Sequence, residues 1–417
     1  MHNQGVHIQS KTGSTIYSNS LAGFWTAPSI GVFDTIFDPR VAYDPFYDRW
    51  LATVLINALT TNSAVLVAVS VTSDPQPTNG WNFLRVKADT NSLLWADQPT
   101  LGFNKDWIVA QANMWPISPG GFEASYFFIL NKTNMYSGST NEQPVRLFHN
   151  DTDFAGNERP ALTYDNSLNR LYLIQNADGN YNGTEGRLRL FCIDGDIDAP
   201  TLNYLDPTNA IYIKVQNMPG ETVTWANNVS TNLTAWESCC SPQLGTNTTI
   251  GTASDARFDS VVYRNGSLWA AHTVFLPATN VSRSAIQWWQ INPEAACVVQ
   301  RGRVDDPTGV NFYAFGSLGV NRFNDVLIGL TWPYRYRPMT NGRTRWLSAV
   351  PKAPPMEPTF GQRAKAASRS MRVKLTAPPC GFNGRRLTMD KFSFPWPRPP
   401  IMARCSTTSW RFTRARA

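Results

Sequence analysis

The sequence predicts an all-β fold assembled from repeated four-stranded units. Three observations carry that expectation. Short apolar runs alternate with polar residues and are bounded by Asn, Gly, Asp and Pro, and no window places apolar residues at helical spacing. The 417 residues include 15 Trp, 14 Tyr and 22 Phe, with only 16% charged residues, which suits a large apolar interior. A cassette also recurs. FDPRVAYDPFYDRWLATV joins Asp38 and Arg40, a strand closed by Tyr43, a turn at Asp44-Pro45 and a long apolar strand opened by Arg49-Trp50.

Copies follow in ADQPTLGFNKDWIVAQA, NERPALTYDNSLNRLYLIQNA and SDARFDSVVYRNGSLWAAHT, with a weaker fifth in GSLGVNRFNDVLIGLTW. The aromatics closing the first strand stand at 43, 103, 164 and 263, in steps of 60, 61 and 99 residues. Each cassette is followed by two further strand-like runs, so each unit holds four strands. In LATVLI, Leu51, Val54, Leu55 and Ile56 fall on both faces of one strand. Such a strand needs a sheet above it and another below. A four-stranded repeat of this length, stacked on both sides, is the pattern of a propeller blade.

In chain order, VHIQSKTG and STIYSNSL form a hairpin at Thr12-Gly13, expected to belong to a further blade of a six- or seven-bladed parent. Five cassette-led blades follow. The long third step is assigned to an insertion at about 217–254, an exposed excursion holding Cys239-Cys240 and three sequons. The expected propeller domain spans 1–333. It holds 19 Lys+Arg against 28 Asp+Glu, whereas 334–417 holds 18 against 2. That last segment, rich in Arg and Pro without strand alternation, is expected to be disordered or a non-native reading; the alternative is a basic tail for an acidic partner. Its Thr344–Ala349 stretch is the best candidate for a further strand in the fifth blade.

The net charge of +7 therefore comes from the final segment. With an acidic body, nucleic acid is not the expected partner. No apolar run is long enough to span a membrane, and Met1-His2-Asn3-Gln4-Gly5 has neither the basic start nor the apolar core of a signal peptide. No metal or cofactor motif is present, and Asp194-Gly-Asp196-Ile-Asp198 lacks the later Glu of a calcium loop. The pairing of Cys192, Cys239, Cys240 and Cys297 is left open. Eight sequons, at Asn131, Asn150, Asn182, Asn228, Asn232, Asn247, Asn265 and Asn280, fit a secreted chain or simply Asn/Thr-rich loops.

The wording of FDPRVAYDPFYDRWLATV, SVTSDPQPTNGWNF, WADQPTLGFNKDWIVAQANMW and SLGVNRFNDVLIGLTW resembles a family of uncharacterised, mostly bacterial, secreted or surface β-propeller proteins. The resemblance covers about residues 5–333 and implies an extracellular or surface location. Such proteins carry a leader, a fuller first blade and a further strand-rich unit, so this chain is expected to be truncated and out of pattern after about 333. SDPQPTNGW is similar to the Asp-box turn of sialidase-type propellers, which is structural.

The first strand of a blade lines the central channel, so residues before it should meet at one mouth. Asp38, Asp97 and Glu158 come from successive blades and resemble the three carboxylates of five-bladed arabinanases and xylosidases. Arg40, Arg159 and Arg257 are a possible carboxylate clamp, with Asp255 beside them, but no F-R-I-P segment or Tyr/Glu nucleophile pair accompanies them. Repetition at four strand starts also fits a purely structural role. His149 and His272 are expected to be satisfied polar residues, and Trp288, Trp289 and Tyr126 to be core in preference to sugar platforms. The expected function is a monomeric, non-catalytic scaffold binding a glycan or protein ligand; glycoside hydrolysis is the alternative.

Overall fold

A computed structural model describes residues 1–139, 142–149, 157–204, 212–217, 222–227, 240–242, 249–251, 255–331, 345–350 and 359–361. Most of the insertion at 217–254 and of the segment 334–417 lies outside the described residues.

The chain is an all-β propeller. A hairpin of β1 (Gly5–Gln9) and β2 (Thr15–Ser20) leads through α1 (Leu21–Phe24) into blade 1. Blade 1 holds β3 (Ile36–Asp44), β4 (Arg49–Ile56), β5 (Ala64–Ser70) and β6 (Trp81–Lys87) in sequential antiparallel order. Blade 2 repeats this with β7 (Leu94–Phe103), β8 (Trp107–Pro116), β9 (Ala124–Asn131), then α2 (Lys132–Ser137) and β10 (Val145–His149). In blade 3 the inner strand is split into β11 (Arg159–Pro160) and β12 (Leu162–Thr163). The rest is β13 (Leu171–Tyr181), β14 (Glu185–Asp196), β15 (Ala199–Tyr204) and β16 (Ile213–Gln216), the last pairing β14. A small pair, β17 (Cys240–Pro242) and β18 (Thr249–Gly251), precedes blade 4. Blade 4 has β19 (Phe258–Arg264), β20 (Ser267–Leu276), β21 (Arg283–Asn292) and β22 (Cys297–Val304). Blade 5 has β23 (Ala314–Val320), β24 (Val326–Thr331), β25 (Arg345–Val350) and β26 (Thr359–Gly361). β25 pairs β24 across the stretch expected to supply a strand.

The inner strands run side by side. Leu162 of β12 pairs in parallel with Phe103 of β7 and with Val262 of β19. Parallel inner strands around an axis, each leading an antiparallel meander outward, define the propeller.

Strand alternation explains how the blades stack. In β8, Ile108, Ala110, Ala112 and Met114 pack with Leu51, Val65 and Val67 of blade 1. Trp107 and Val109, on the opposite face, pack with Leu171, Leu173, Phe191 and Ile193 of blade 3. The same division joins blades 3 and 4 and blades 4 and 5. Each fully buried large apolar side chain contributes about 1.5–3 kcal/mol, so the seams carry most of the cohesion.

Part of the insertion is core. Trp225 is fully buried against the blade 3–4 seam. It fits because Gly179 and Gly186 lack side chains: a Cβ on either would stand 2.3–2.4 Å from the Trp225 indole. Cys297 is disulfide-bonded and Cys192 is free and buried; Cys239 lies outside the described residues. In the turn at Ser73–Trp81, Asp74 Oδ1 accepts from Gln76 N (3.1 Å), and Trp81 Nε1 donates to Pro75 O (3.1 Å).

Candidate functional site at the channel mouth

The inner strands open on irregular backbone. Register shifts fall between Phe37 and Arg40 in β3, Asp97 and Thr100 in β7, Phe258 and Ser260 in β19, and Ala314 and Ser317 in β23. Asp38, Gln98 and Phe315 take φ of 54°, 55° and 55° at these bulges, and Asn157 takes 67° ahead of β11. A left-handed non-glycine residue costs about 1–3 kcal/mol and persists where surrounding structure imposes it. A bulge re-aims the side chain that follows it. Strain repeated around one channel mouth therefore marks where side chains are being aimed.

Blade 1 contributes Asp38 and Arg40. Asn3 ties Asp38 through its backbone N–H (2.6 Å) and its carboxylate (3.2 Å). Arg40 Nε donates to the Pro99 carbonyl of blade 2 (2.8 Å), so this arginine bridges two blades. Burial lowers its pKa, Asp38 and Asp259 oppose that, and Arg257 adds to it. Blade 2 contributes Asp97. Burial raises its pKa, the Gln98 N–H at 2.9 Å opposes, Asp38 raises it further and Arg257 opposes. Gln98 is held by Asn113 Nδ2 (2.9 Å), which also donates to Asn157 of blade 3 (2.9 Å).

Blade 4 contributes Asp255 and Arg257, joined as a two-pronged pair with Nε to Oδ1 at 2.5 Å. This pair lies within one blade and does not bridge neighbours. Burial would lower the Arg257 pKa, and Asp255 more than offsets it. Blade 4 also supplies Asp259, which the sequence reading did not single out. Its Oδ2 accepts from Thr273 N, Thr273 Oγ1 and Gly316 N, each at 3.1 Å. Burial nevertheless raises its pKa to about 6, against the pull of Arg159. The signal was present: where three cassettes place Pro39, Pro99 and Pro160, this one places an acid.

Blade 3 contributes Arg159. Its pKa is lowered to about 9 by burial, then by Arg40 and Arg257, with Asp259 opposing. It is half-buried, and among the described residues its guanidinium has no hydrogen-bond or ion-pair partner. Arg40, Arg159, Arg257, Asp38, Asp97 and Asp259 thus share one electrostatic field.

Glu158 is placed elsewhere. Its Oε1 lies 2.7 Å from His149 Nδ1 and accepts from Gln175 Nε2 (3.2 Å), while His149 Nε2 lies 2.5 Å from the Tyr204 hydroxyl. His149 and Glu158 are therefore partners. His272 is fully buried between the Ala256 carbonyl (2.8 Å) and Trp289 Nε1 (3.0 Å), and burial lowers its pKa to about 3. Trp288 and Trp289 are core, 3% and 0% exposed. Tyr126 packs on Phe128 and Phe148.

No family model and no curated protein matches the chain. Among solved structures it is similar to a bifunctional GH43-CE protein of Bacteroides eggerthii (10% identity, 82% of this chain and 36% of that one, TM-score 0.37). It is similar to an exo-1,5-alpha-L-arabinanase from a bovine ruminal metagenomic library (10%, 78% and 96%, 0.33). It is also similar to a Trypanosoma rangeli sialidase (12%, 82% and 56%, 0.30). The chain spans about a third of the first of these and about half of the third. The propeller assignment rests on the strand order and the parallel inner seams.

Proposed function

We propose that the chain is an extracellular or surface-displayed propeller scaffold that binds a carboxylate-bearing glycan at the channel mouth without transforming it. One observation carries this reading. Arg159 is a half-buried cation with no hydrogen-bond or ion-pair partner among the described residues. Desolvating a charge is unfavourable unless something compensates, and a ligand carboxylate would do so bidentately. Asp38 and Asp97 stand nearby as acceptors for sugar hydroxyls. The disulfide at Cys297 supports an oxidising compartment.

The competing reading is glycoside hydrolysis by Asp38, Asp97 and Glu158. The raised pKa of Asp97 favours it, since a general acid must hold its proton near neutral pH. Against it, Glu158 is engaged by His149 and Gln175.

Calorimetry on the full chain tests both. 3′-Sialyllactose or trigalacturonate should bind, neutral lactose and maltotriose should not, and Arg159→Gln should weaken binding by tenfold or more, about 1.4 kcal/mol. Equal binding of the neutral sugars would defeat the carboxylate assignment. Release of reducing ends from either acidic sugar, lost in Asp97→Asn, would establish the hydrolase instead.

A further inference from the structure

The hairpin of β7 and β8 continues past the mouth. Asp97 pairs with Asn113, and one step further along the same face Trp95 pairs with Trp115. Two residues along a strand advance about 6.6–7 Å, close to one pyranose ring. Trp95, Trp115 and Pro116, with Leu59 of blade 1 and residues 117–120 of the β8–β9 turn, line an open cleft of about 320 Å³. Leu59 is 64% exposed and held at φ 61°, and neighbouring Leu93 is 67% exposed.

We infer that this cleft is a second saccharide subsite: the sugar next to the one whose carboxylate meets Arg159 lies with its apolar face against Trp95 and Trp115. The inference rests on the proposed binding function. The occupant follows from continuity. The aromatic pair is the next rung of the ladder that carries Asp97, so a chain of sugars leaving the mouth along β7 meets it first. The apolar C–H face of a sugar ring stacked over an indole is the complement of such a surface. The site therefore selects oligomers over single sugars.

Titration of the full chain with galacturonate and with α-1,4-trigalacturonate tests this, with sialic acid and 3′-sialyllactose as a parallel pair for the other source of carboxylated sugar. In at least one pair the oligomer should bind about tenfold tighter than its monomer. Trp95→Ala and Trp115→Ala should erase that gain while leaving monomer affinity unchanged. Arg159→Gln should weaken both. Trp115→Phe, which keeps a smaller aromatic face, should retain part of the gain. Leu59→Asn sits on the surface and suits left-handed backbone, so it tests the cleft without risk to folding. Oligomer and monomer binding equally, both sensitive to Arg159, would overturn the subsite and leave the mouth reading standing. No binding of any of the four would overturn both. A chain that sediments as a dimer and becomes monomeric with Leu59→Asn would show that a second copy fills the cleft, which also overturns the inference.

Discussion

Two regions of the propeller bury cations, and they treat them oppositely. At the blade 1–2 seam, Lys132 is 1% exposed. Its ammonium lies 2.6 Å from Asp44 and also donates to the Asn104 carbonyl, with the Phe103 ring 4.7 Å away. Asp44 further accepts from the Tyr136 hydroxyl (2.6 Å) and Phe46 N (3.0 Å). Burial lowers the Lys132 pKa and Asp44 opposes it. Both charges there have protein partners. At the mouth, Arg159 shares a field with two more arginines and has no such partner among the described residues. The first arrangement is a joint between blades. The second is a charge whose compensation is left to something else.

The largest expected effect breaks the joint. Asp44→Ala strands a buried ammonium and should destabilise the chain by about 3–5 kcal/mol in urea unfolding. Replacing the pair together, Asp44→Leu with Lys132→Met, should recover most of that, because a well-packed apolar pair avoids desolvating two charges. If the double variant is as unstable as Asp44→Ala, the joint does more than neutralise Lys132.

At the mouth the same kind of deletion should do little. Arg159→Met removes a cation without a hydrogen-bonded protein partner, so stability should stay within about 1 kcal/mol of the parent while carboxylate binding is lost. A loss comparable to that of Asp44→Ala would make Arg159 a structural residue and remove the basis of the proposed function.

The pH profile sharpens the contrast within blade 4. Asp259 has a folded pKa of about 6, above its ordinary 3.8. The folded state therefore binds the extra proton, and this group's contribution falls as pH rises from about 4 to 6. His272 has a folded pKa of about 3, below 6.5. There the unfolded state binds the proton, and its contribution rises with pH from about 3 to 6.5. The two slopes oppose one another over the same window. Asp259→Asn should unmask the histidine, so that stability climbs with pH from 4 to 6 more steeply than in the parent. An unchanged slope would show that Asp259 is ionised throughout.

Much of this was legible in the chain. Turn residues, closing aromatics and two-sided strands such as Leu51–Ile56 give blades, because period-2 alternation and stacking leave few other solutions. The convergence of Arg40, Arg159 and Arg257 was expected from their places near the starts of inner strands. Residue parity was the missed clue. Glu158 and Arg159 are adjacent, and neighbours on extended backbone point to opposite sides, so the arginine meets the mouth and the glutamate meets His149. The bulges were not legible, because Asp38, Gln98 and Phe315 adopt left-handed backbone that composition associates with glycine. Trp225 was hidden for another reason. Its pocket is made by Gly179 and Gly186 on distant strands, and no local pattern announces that.

The smallest effect follows from the same distinction between satisfied and open groups, now at the sequons. Asn265 Nδ2 donates to the Arg322 carbonyl and to Asn324 Oδ1, both at 2.9 Å. Asn131 caps α2 through its Oδ1 and donates Nδ2 to Asp198 at 3.3 Å. A glycan on either nitrogen would displace those contacts. Asn182 and Asn280 sit exposed in turns at φ 53° and 58°, with no side-chain hydrogen bond to any described residue. Expressed through a glycosylating secretory pathway, the folded chain should carry glycans at Asn182 and Asn280 and not at Asn131 or Asn265, as read by peptide mapping after enzymatic deglycosylation in heavy-oxygen water. Asn182→Asp and Asn280→Asp, which keep a side chain suited to left-handed backbone, should leave the melting temperature unchanged, whereas Asn265→Asp, which loses the amide donor, should lower it by a few degrees, the loss of about 1 kcal/mol of hydrogen bonding. Full occupancy at Asn265 in folded material would mean that the amide contacts to the blade 5 turn are dispensable, and that openness of a side chain does not decide what this surface accepts.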